Sequence, residues 1–161
     1  MTIEDVRTII SLALDELYEK DQYLILNNGN EENHLSERSI VSKYSIYINE
    51  IVKKELPSFN VDTEYNRNIN DKKETRSRSN GSCTDLIVHK RGRKDQNLIV
   101  MEFKPWWNSK QEDDKKKIED YCDEDEYKYK YGVLILLGKT RNDADIKIYH
   151  EGQWESMKKS L

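Results

Sequence analysis

The chain has 161 residues, a formal net charge of −4 and 36% charged residues, which predicts one domain over residues 1–161 that can bury a hydrophobic core. No run of about 18 apolar residues occurs, which excludes a transmembrane helix, and the N-terminus lacks the basic segment of a signal peptide. Cys83 and Cys122 are far apart and suggest neither a disulfide framework nor a zinc site, so we expect a cytoplasmic protein with no membrane partner.

Two amphipathic helices are predicted first. Apolar residues recur at helical spacing over about residues 3–20, with Thr2 as the N-cap, and a short apolar run over 23–26 and a polar loop follow. A second helix is predicted over residues 36–56, ending before Pro57. Glu37 lies on its inward-facing stripe. It is either a first-turn acid favoured by the helix dipole or a carboxylate aimed at a site.

Three strand patterns follow the helices. Residues 59–66 alternate between apolar and polar, with Asp62 and Glu64 on the polar face, and residues 67–82 predict a long mobile loop. Two apolar runs, over 86–89 and 98–103, flank a charged turn that contains Gly92. This arrangement predicts a β-hairpin.

The C-terminal third contains one helix and two strands. A polar helix is predicted over residues 110–122 with Asp114 on its narrow inner face. The continuous apolar run over 131–137 is typical of a central strand, joined to the hairpin by a right-handed parallel crossover. A last strand begins at Ile146, and Glu151-Gly152 forms a turn after it. The predicted order is α-α-β-β-β-α-β-β, an α/β fold with a mixed sheet flanked by helices.

The hairpin brings acidic side chains together. If Lys90 pairs with Asn97, Asp85 falls opposite Glu102, and Lys104 shares their face. Two facing carboxylates suit Mg²⁺ or Mn²⁺, which can polarise a phosphoryl oxygen and activate a bound water. The alternative is an ordinary strand pair that ends in a surface salt bridge.

Basic residues are concentrated in one segment. Residues 71–94 contain eight Lys or Arg against three acids, whereas the net charge of the chain is negative. A basic patch beside the carboxylates would engage phosphates, and the alternative is a set of solvated loop charges. His89 and His150 are interpreted as structural, and His34 precedes the Glu37 helix within reach of the site.

Four segments carry a family resemblance: residues 36–41, 61–67 and 84–92, and Glu102-Phe103-Lys104. Together they resemble the PD-(D/E)xK nuclease superfamily, which has the restriction-endonuclease-like fold, and in particular a group of small bacterial proteins within it. The resemblance covers about residues 20–137. Thr84 stands where the motif has proline, a backbone position that supplies no ligand.

The resemblance implies roles for individual residues. Asp85 and Glu102 would bind the divalent ion together with the main-chain carbonyl of Phe103, and Lys104 would orient or activate the attacking water. Glu37 would serve a second metal or a metal-bound water. Glu64 would join them or, alternatively, face solvent. Weaker phosphate contacts, which as isolated surface cations are more often inert, are Arg67, Arg76, Arg78, Lys90, Arg91 and Lys117.

The predicted function is a Mg²⁺-dependent nuclease that acts on nucleic acid, with DNA favoured. One alternative is an inactive nuclease-like scaffold that works as a binding module, because fold does not fix function. A third possibility is nucleic-acid binding without cleavage through residues 71–94. Since no separate reader domain is predicted, we expect a homodimer or a protein partner to provide selectivity.

Overall fold

Two long helices form the N-terminal part of the protein in the computed structural model, which describes residues 1–26, 36–65, 67–68, 71–78 and 82–157. Helix α1, Ile3–Leu26, extends beyond the prediction because the apolar run over 23–26 continues the helix after a kink at Asp21. The Thr2 amide and hydroxyl exchange hydrogen bonds with Asp5, which confirms the predicted N-cap. The predicted polar loop after α1 and His34 lie outside the described residues.

Helix α2, Glu37–Glu55, begins and ends where the sequence predicts. The hydroxyl of Ser36 accepts a hydrogen bond from the Arg38 amide and caps the helix, and Leu56 follows its last turn. Its predicted apolar stripe is buried, with Tyr44 packed edge-on against Phe103. This packing fixes the first turn of α2, and with it Glu37, over one face of the sheet.

Strands and one further helix form the rest of the described chain. In chain order the elements are β1 Asn60–Thr63, β2 Arg67–Asn68, β3 Asp71–Lys72, β4 Leu86–His89, β5 Asn97–Lys104, α3 Glu112–Asp123, β6 Tyr131–Leu136, β7 Asp145–His150 and β8 Gln153–Ser156. Six strands form one sheet in the order β1-β4-β5-β6-β7-β8, in which only the β5–β6 pair is parallel. The α/β class and the mixed sheet are confirmed.

Two features of this part differ from the prediction. β8 adds a strand to the predicted order, and β2 and β3 form a short ribbon within residues 67–82, where only a loop was expected. The segment between this ribbon and β4 is partly buried: the Ser82 amide donates to the Lys73 carbonyl oxygen at 2.8 Å. Among the described residues, no helix has the length and apolar character needed to cross a membrane.

The sheet has a hydrophobic layer on each face. One layer contains α1, α2 and the predicted apolar side of the hairpin, which is confirmed: Leu86, Val88, Ile99, Met101 and Phe103. The other contains Ile87, Val100 and Leu134 beneath α3 and a group of tyrosines. Because both faces are covered, the central strands are fully buried, and a charged residue on them needs a partner.

The hairpin register is correct next to the acids and wrong at the turn. Leu86 pairs with Met101 and Val88 with Ile99, so the continuation of this register sets Asp85 opposite Glu102. A bulge after Val88 then makes His89, rather than Lys90, the partner of Asn97. The extra residue at the bulge is Leu98 of β5, and the connection between the strands contains a 3₁₀ turn over Lys94–Gln96.

Strand β1 is shorter than the predicted strand over 59–66. It ends at Thr63 because Glu64 adopts a left-handed conformation with φ of 49°. Tyr65 therefore lies on the opposite face from the one predicted, where its ring meets His89 at a centroid distance of 4.8 Å. This reversal leaves Glu64 at the end of an edge strand.

Candidate functional site

Asp85, immediately before β4, and Glu102 of the adjacent strand β5 lie at one end of the sheet. The Phe103 amide donates to Asp85 Oδ2 at 2.8 Å, which fixes the Asp85 carboxylate against β5. Glu102 is only 3% exposed. Burial, and next the negative charge of Asp85, raise the pKa of Glu102 well above its usual value, and burial also raises the pKa of Asp85. Two acids thus share a poorly solvated position where both resist ionisation.

Two lysines neutralise this end of the sheet. Lys117 of α3, 11% exposed, places its Nζ 2.8 Å from Glu102 Oε1, and Lys104 Nζ lies 2.6 Å from Asp114 Oδ2. Both ion pairs therefore cross from β5 to α3. Lys117 is not the isolated surface cation of the sequence interpretation but the buried counter-ion of Glu102.

The two ion pairs act mainly through charge. Glu102 Oε1 and Asp114 Oδ2 are buried yet have no hydrogen-bond donor at an acceptable angle. Burial lowers the pKa of Lys104, but its close ion pair with Asp114 outweighs this effect and raises the pKa overall. Lys104 is consequently an ammonium cation at neutral pH, which suits it to stabilise negative charge.

Glu37 faces Asp85 across an open cleft of about 250 Å³. Burial, and then the charge of Asp85, raise the pKa of Glu37 to about 7. Glu37 stands in the first turn of α2 and lines the cleft. Glu64 also lines the cleft and forms an ion pair of 2.6 Å with the exposed Arg38. Glu102 lies behind these residues and is not among those that line the cleft.

The expected pocket of three acids is not assembled in this conformation. Among the residues that the structure describes, no three His, Cys, Asp or Glu side chains are close enough to hold a metal ion together. Asp85 and Glu102 nevertheless supply oxygen donors on adjacent strands, and Glu102 Oε1 has no well-aligned donor. Mg²⁺ is commonly held by one or two protein carboxylates together with waters and substrate phosphates, so this donor set fits such an ion.

The basic residues of segment 71–94 divide between two places. The amide of Arg76 donates to Glu124 at the end of α3, and Arg78 pairs with Thr75 in a nearby turn. Lys90 and Arg91 follow β4 instead, where Arg91 Nε donates to Asp62 at 2.8 Å and Lys90 lies over the Phe59 ring. The side chain of Arg67 lies outside the described part of the chain. The predicted basic patch is therefore not continuous.

The structural interpretation of two histidines agrees with their surroundings. His89 is buried and its Nε2 lies 2.8 Å from Asp62 Oδ2. His150 Nδ1 lies 3.0 Å from the Lys130 carbonyl oxygen, and its ring packs against Tyr131. None of these interactions joins either histidine to Asp85 or Glu102.

Sequence reasoning missed the ion pair between Lys117 and Glu102. A usable signal was present, because Lys117 follows Asp114 by three residues and precedes Tyr121 by four, so all three lie on the same face of α3. Sequence reasoning also missed Lys73, which is 3% exposed and lies about 5 Å from three tyrosine rings. Nothing in its charged local sequence indicates this burial.

Comparisons of the chain with protein-family models, with curated proteins and with solved structures found no match. The nuclease resemblance of the four segments therefore stays a prediction. Any functional conclusion depends on the chemistry of the acids and lysines at the end of β4 and β5.

Proposed function

We propose that the protein is a divalent-metal-dependent nuclease that hydrolyses phosphodiester bonds, with DNA as the favoured substrate. The observation that carries the proposal is the half-buried Asp85 beside the buried Glu102, two carboxylates at one end of β4 and β5 with ammonium groups next to them. Burying such a pair is unfavourable without a compensating cation. A purely structural salt bridge at a strand end would not require the second acid.

In this proposal Asp85 and Glu102 would hold Mg²⁺ or Mn²⁺, with the Phe103 main-chain carbonyl as a further ligand. The bound ion would supply Lewis acidity toward a phosphate and lower the pKa of a coordinated water. The hydrogen bond from the Phe103 amide keeps Asp85 in a fixed orientation. Asp114 keeps Lys104 positively charged, so Lys104 would stabilise charge on the phosphate rather than remove a proton.

Glu37 would serve as the general base. Its pKa is raised to about 7. Near neutral pH, a base with this pKa is partly unprotonated and still accepts a proton readily. It shares the open cleft with Asp85, from which solvent and substrate can enter. Glu64 would contribute negative charge at the rim, where it is already paired with Arg38.

The test is digestion of plasmid and single-stranded substrates with Mg²⁺ or Mn²⁺. Asp85→Ala should reduce cleavage by about 100-fold or more, the scale of losses when a metal site is damaged. Asp95→Ala is the matched control, because Asp95 is exposed and forms an ion pair with Arg93 in the turn after β4. Wild-type protein and Asp85→Ala with equal activity would exclude this function, provided that circular dichroism shows both to be folded.

A second candidate is an inactive scaffold that binds a partner without chemistry. The observation that favours it is that Glu102 and Lys104 already have partners, Lys117 and Asp114, within the chain. Calorimetric titration with Mn²⁺ distinguishes the two candidates. Absence of binding at millimolar Mn²⁺ favours the scaffold, whereas binding that is lost in Glu102→Gln favours the nuclease.

A further inference from the structure

A polar groove leads away from the acids along helix α2. The cleft between Glu37 and Asp85 shares Thr63 with a second cleft of about 560 Å³, which lies between α2 and the edge strand β1. Because the two clefts share Thr63 and lie along successive turns of α2, they are neighbours, and together they are called the α2–β1 groove. The α2 residues that line it, spaced three or four residues apart, are Arg38, Ser42, Ser45, Asn49 and Lys53. At the helical rise of about 1.5 Å per residue, this row of side chains is roughly 22 Å long, which is long enough to contact several nucleotides.

Charge is distributed unevenly along this α2–β1 groove. The end near the site contains the acids Glu37, Glu64 and Asp85 and one cation, Arg38, which is paired with Glu64. The far end contains Lys53 and Arg91, and its one acid, Asp62, is held by hydrogen bonds from Arg91. Hydroxyl and amide side chains connect the two ends. A phosphodiester strand fits this gradient, because cations and neutral donors would meet its phosphates and acids would surround the metal and the phosphate to be cleaved.

The groove also provides apolar contacts at its far end. Ile46 is half exposed on α2, and Phe59 and Pro57 line the same cleft. Apolar and aromatic side chains of this kind can contact sugars or bases. The groove is otherwise polar, and β1 offers only four residues of sheet edge, which is a short template for an added peptide strand.

We propose that the α2–β1 groove binds a single phosphodiester strand and delivers it to Asp85, in front of the buried Glu102. This inference rests on the proposed nuclease function and names the path of its substrate. The cations of the predicted segment 71–94 contribute through Arg91 at the far end, whereas Arg76 and Arg78 lie beside α3. Lys53, which the sequence analysis did not single out, becomes a substrate-positioning residue.

The test measures binding without chemistry, by fluorescence anisotropy of a labelled single-stranded oligonucleotide in EDTA. Lys53→Glu and Lys53→Gln are compared with Lys43→Glu and Lys43→Gln, because Lys43 is an exposed α2 lysine that does not line the groove. We expect Lys53→Glu to weaken binding about fivefold and Lys43→Glu less than about twofold. The slope of log affinity against log salt should fall by about 0.7 when Lys53 is neutralised, as for one lost contact to a single strand.

Each other outcome overturns the inference in a recognisable way. Equal losses in the Lys53 and Lys43 variants would show general attraction of charge rather than a groove. Unchanged binding in both Lys53 variants would leave the groove to another occupant, such as an extended peptide added to β1. If wild-type protein binds no oligonucleotide yet cleaves plasmid in an Asp85-dependent manner, the path is wrong and the nuclease function stands. If it neither binds nor cleaves, both proposals fail.

Discussion

Replacing Lys117 with methionine removes the counter-ion of Glu102 while nearly preserving side-chain length. Lys117 Nζ is 2.8 Å from Glu102 Oε1, and both side chains are largely excluded from solvent. Lys117 lowers the pKa of Glu102, whereas burial and Asp85 raise it. Without Lys117, Glu102 must either remain an unpaired buried carboxylate or take up a proton.

The second option sets the magnitude of the loss. Protonation of a glutamate with an ordinary pKa of 4.5 costs about 3.4 kcal/mol at about pH 7, since the pH lies about 2.5 units higher. An unpaired buried charge would cost about 3–5 kcal/mol, so protonation limits the loss. Part of the protonation cost is already present in wild type, where the pKa of Glu102 is well above its usual value, so we expect the free energy of unfolding at about pH 7 to fall by about 2 kcal/mol in Lys117→Met.

The loss of stability in Lys117→Met should depend on pH in a defined direction. In the variant the folded protein holds a proton on Glu102 that the unfolded chain releases above its ordinary pKa of 4.5. The free energy of unfolding of the variant then decreases as the pH rises, by up to about 1.4 kcal/mol per pH unit. The difference in stability between the variant and wild type should therefore become smaller as the pH is lowered from about 7 to 5. Millimolar Mn²⁺ should also stabilise the variant more than wild type, because no ammonium competes for Glu102.

Urea unfolding followed by circular dichroism at both pH values measures these differences. Lys115→Met is the matched control on the same helix, because its partner Glu112 is 86% exposed, and we expect it to change stability by less than about 1 kcal/mol. A Lys117→Met variant that matches this control at every pH would refute the reasoning. Glu102 would then already be protonated in the wild type, and Lys117 would not be its counter-ion.

Three further changes test other parts of the structure. Burial lowers the pKa of Lys73 to about 8, so folding releases a proton between about pH 8 and 10.5. The free energy of unfolding of wild type should therefore rise by about 1.3 kcal/mol relative to that of Lys73→Met from about pH 7 to 9, and equal differences between the two proteins in urea titrations at both pH values would contradict this. The pKa of Glu37 is raised to about 7, so wild type loses stability as the pH rises from about 5 to 8. Because Glu37 is partly exposed and solvent screens the effect, we expect the stability advantage of Glu37→Gln over wild type to grow by about 1 kcal/mol across this range in thermal unfolding, whereas a constant difference would exclude a raised pKa. A Cβ added at Gly132 would lie 2.1 Å from Ile118 Cγ2. We therefore expect Gly132→Ala to displace α3 and to lower the free energy of unfolding by about 1–3 kcal/mol. A variant as stable as wild type would show that α3 adjusts freely.

The sequence determined the elements and the faces of the acids. Helical periodicity predicted α2 within one residue at each end, and Pro57 marked its end. Strand alternation predicted that Asp85 and Glu102 share a face, because side chains of a strand alternate strictly and the apolar side of the hairpin had to face the core. The two acids of the candidate site were therefore predictable without coordinates.

The failures occurred where the backbone departs from regular geometry. The left-handed residue Glu64 ends β1 and reverses Tyr65, and the bulge after Val88 shifts the pairing at the hairpin turn. Periodicity assumes that a strand continues unchanged, so it cannot predict either departure. The ribbon of β2 and β3 was missed for a related reason, because short polar strands lack an apolar pattern.

Only the tertiary structure decided which charges meet. The pattern of α3 shows that Asp114 and Lys117 face inward, but not that Lys117 lies against Glu102 and Asp114 against Lys104. That pairing depends on how the parallel crossover seats α3 on the sheet, where Gly132 allows close approach. Periodicity specifies a residue's direction within its own element, whereas its partners depend on the packing of elements that are distant in the chain.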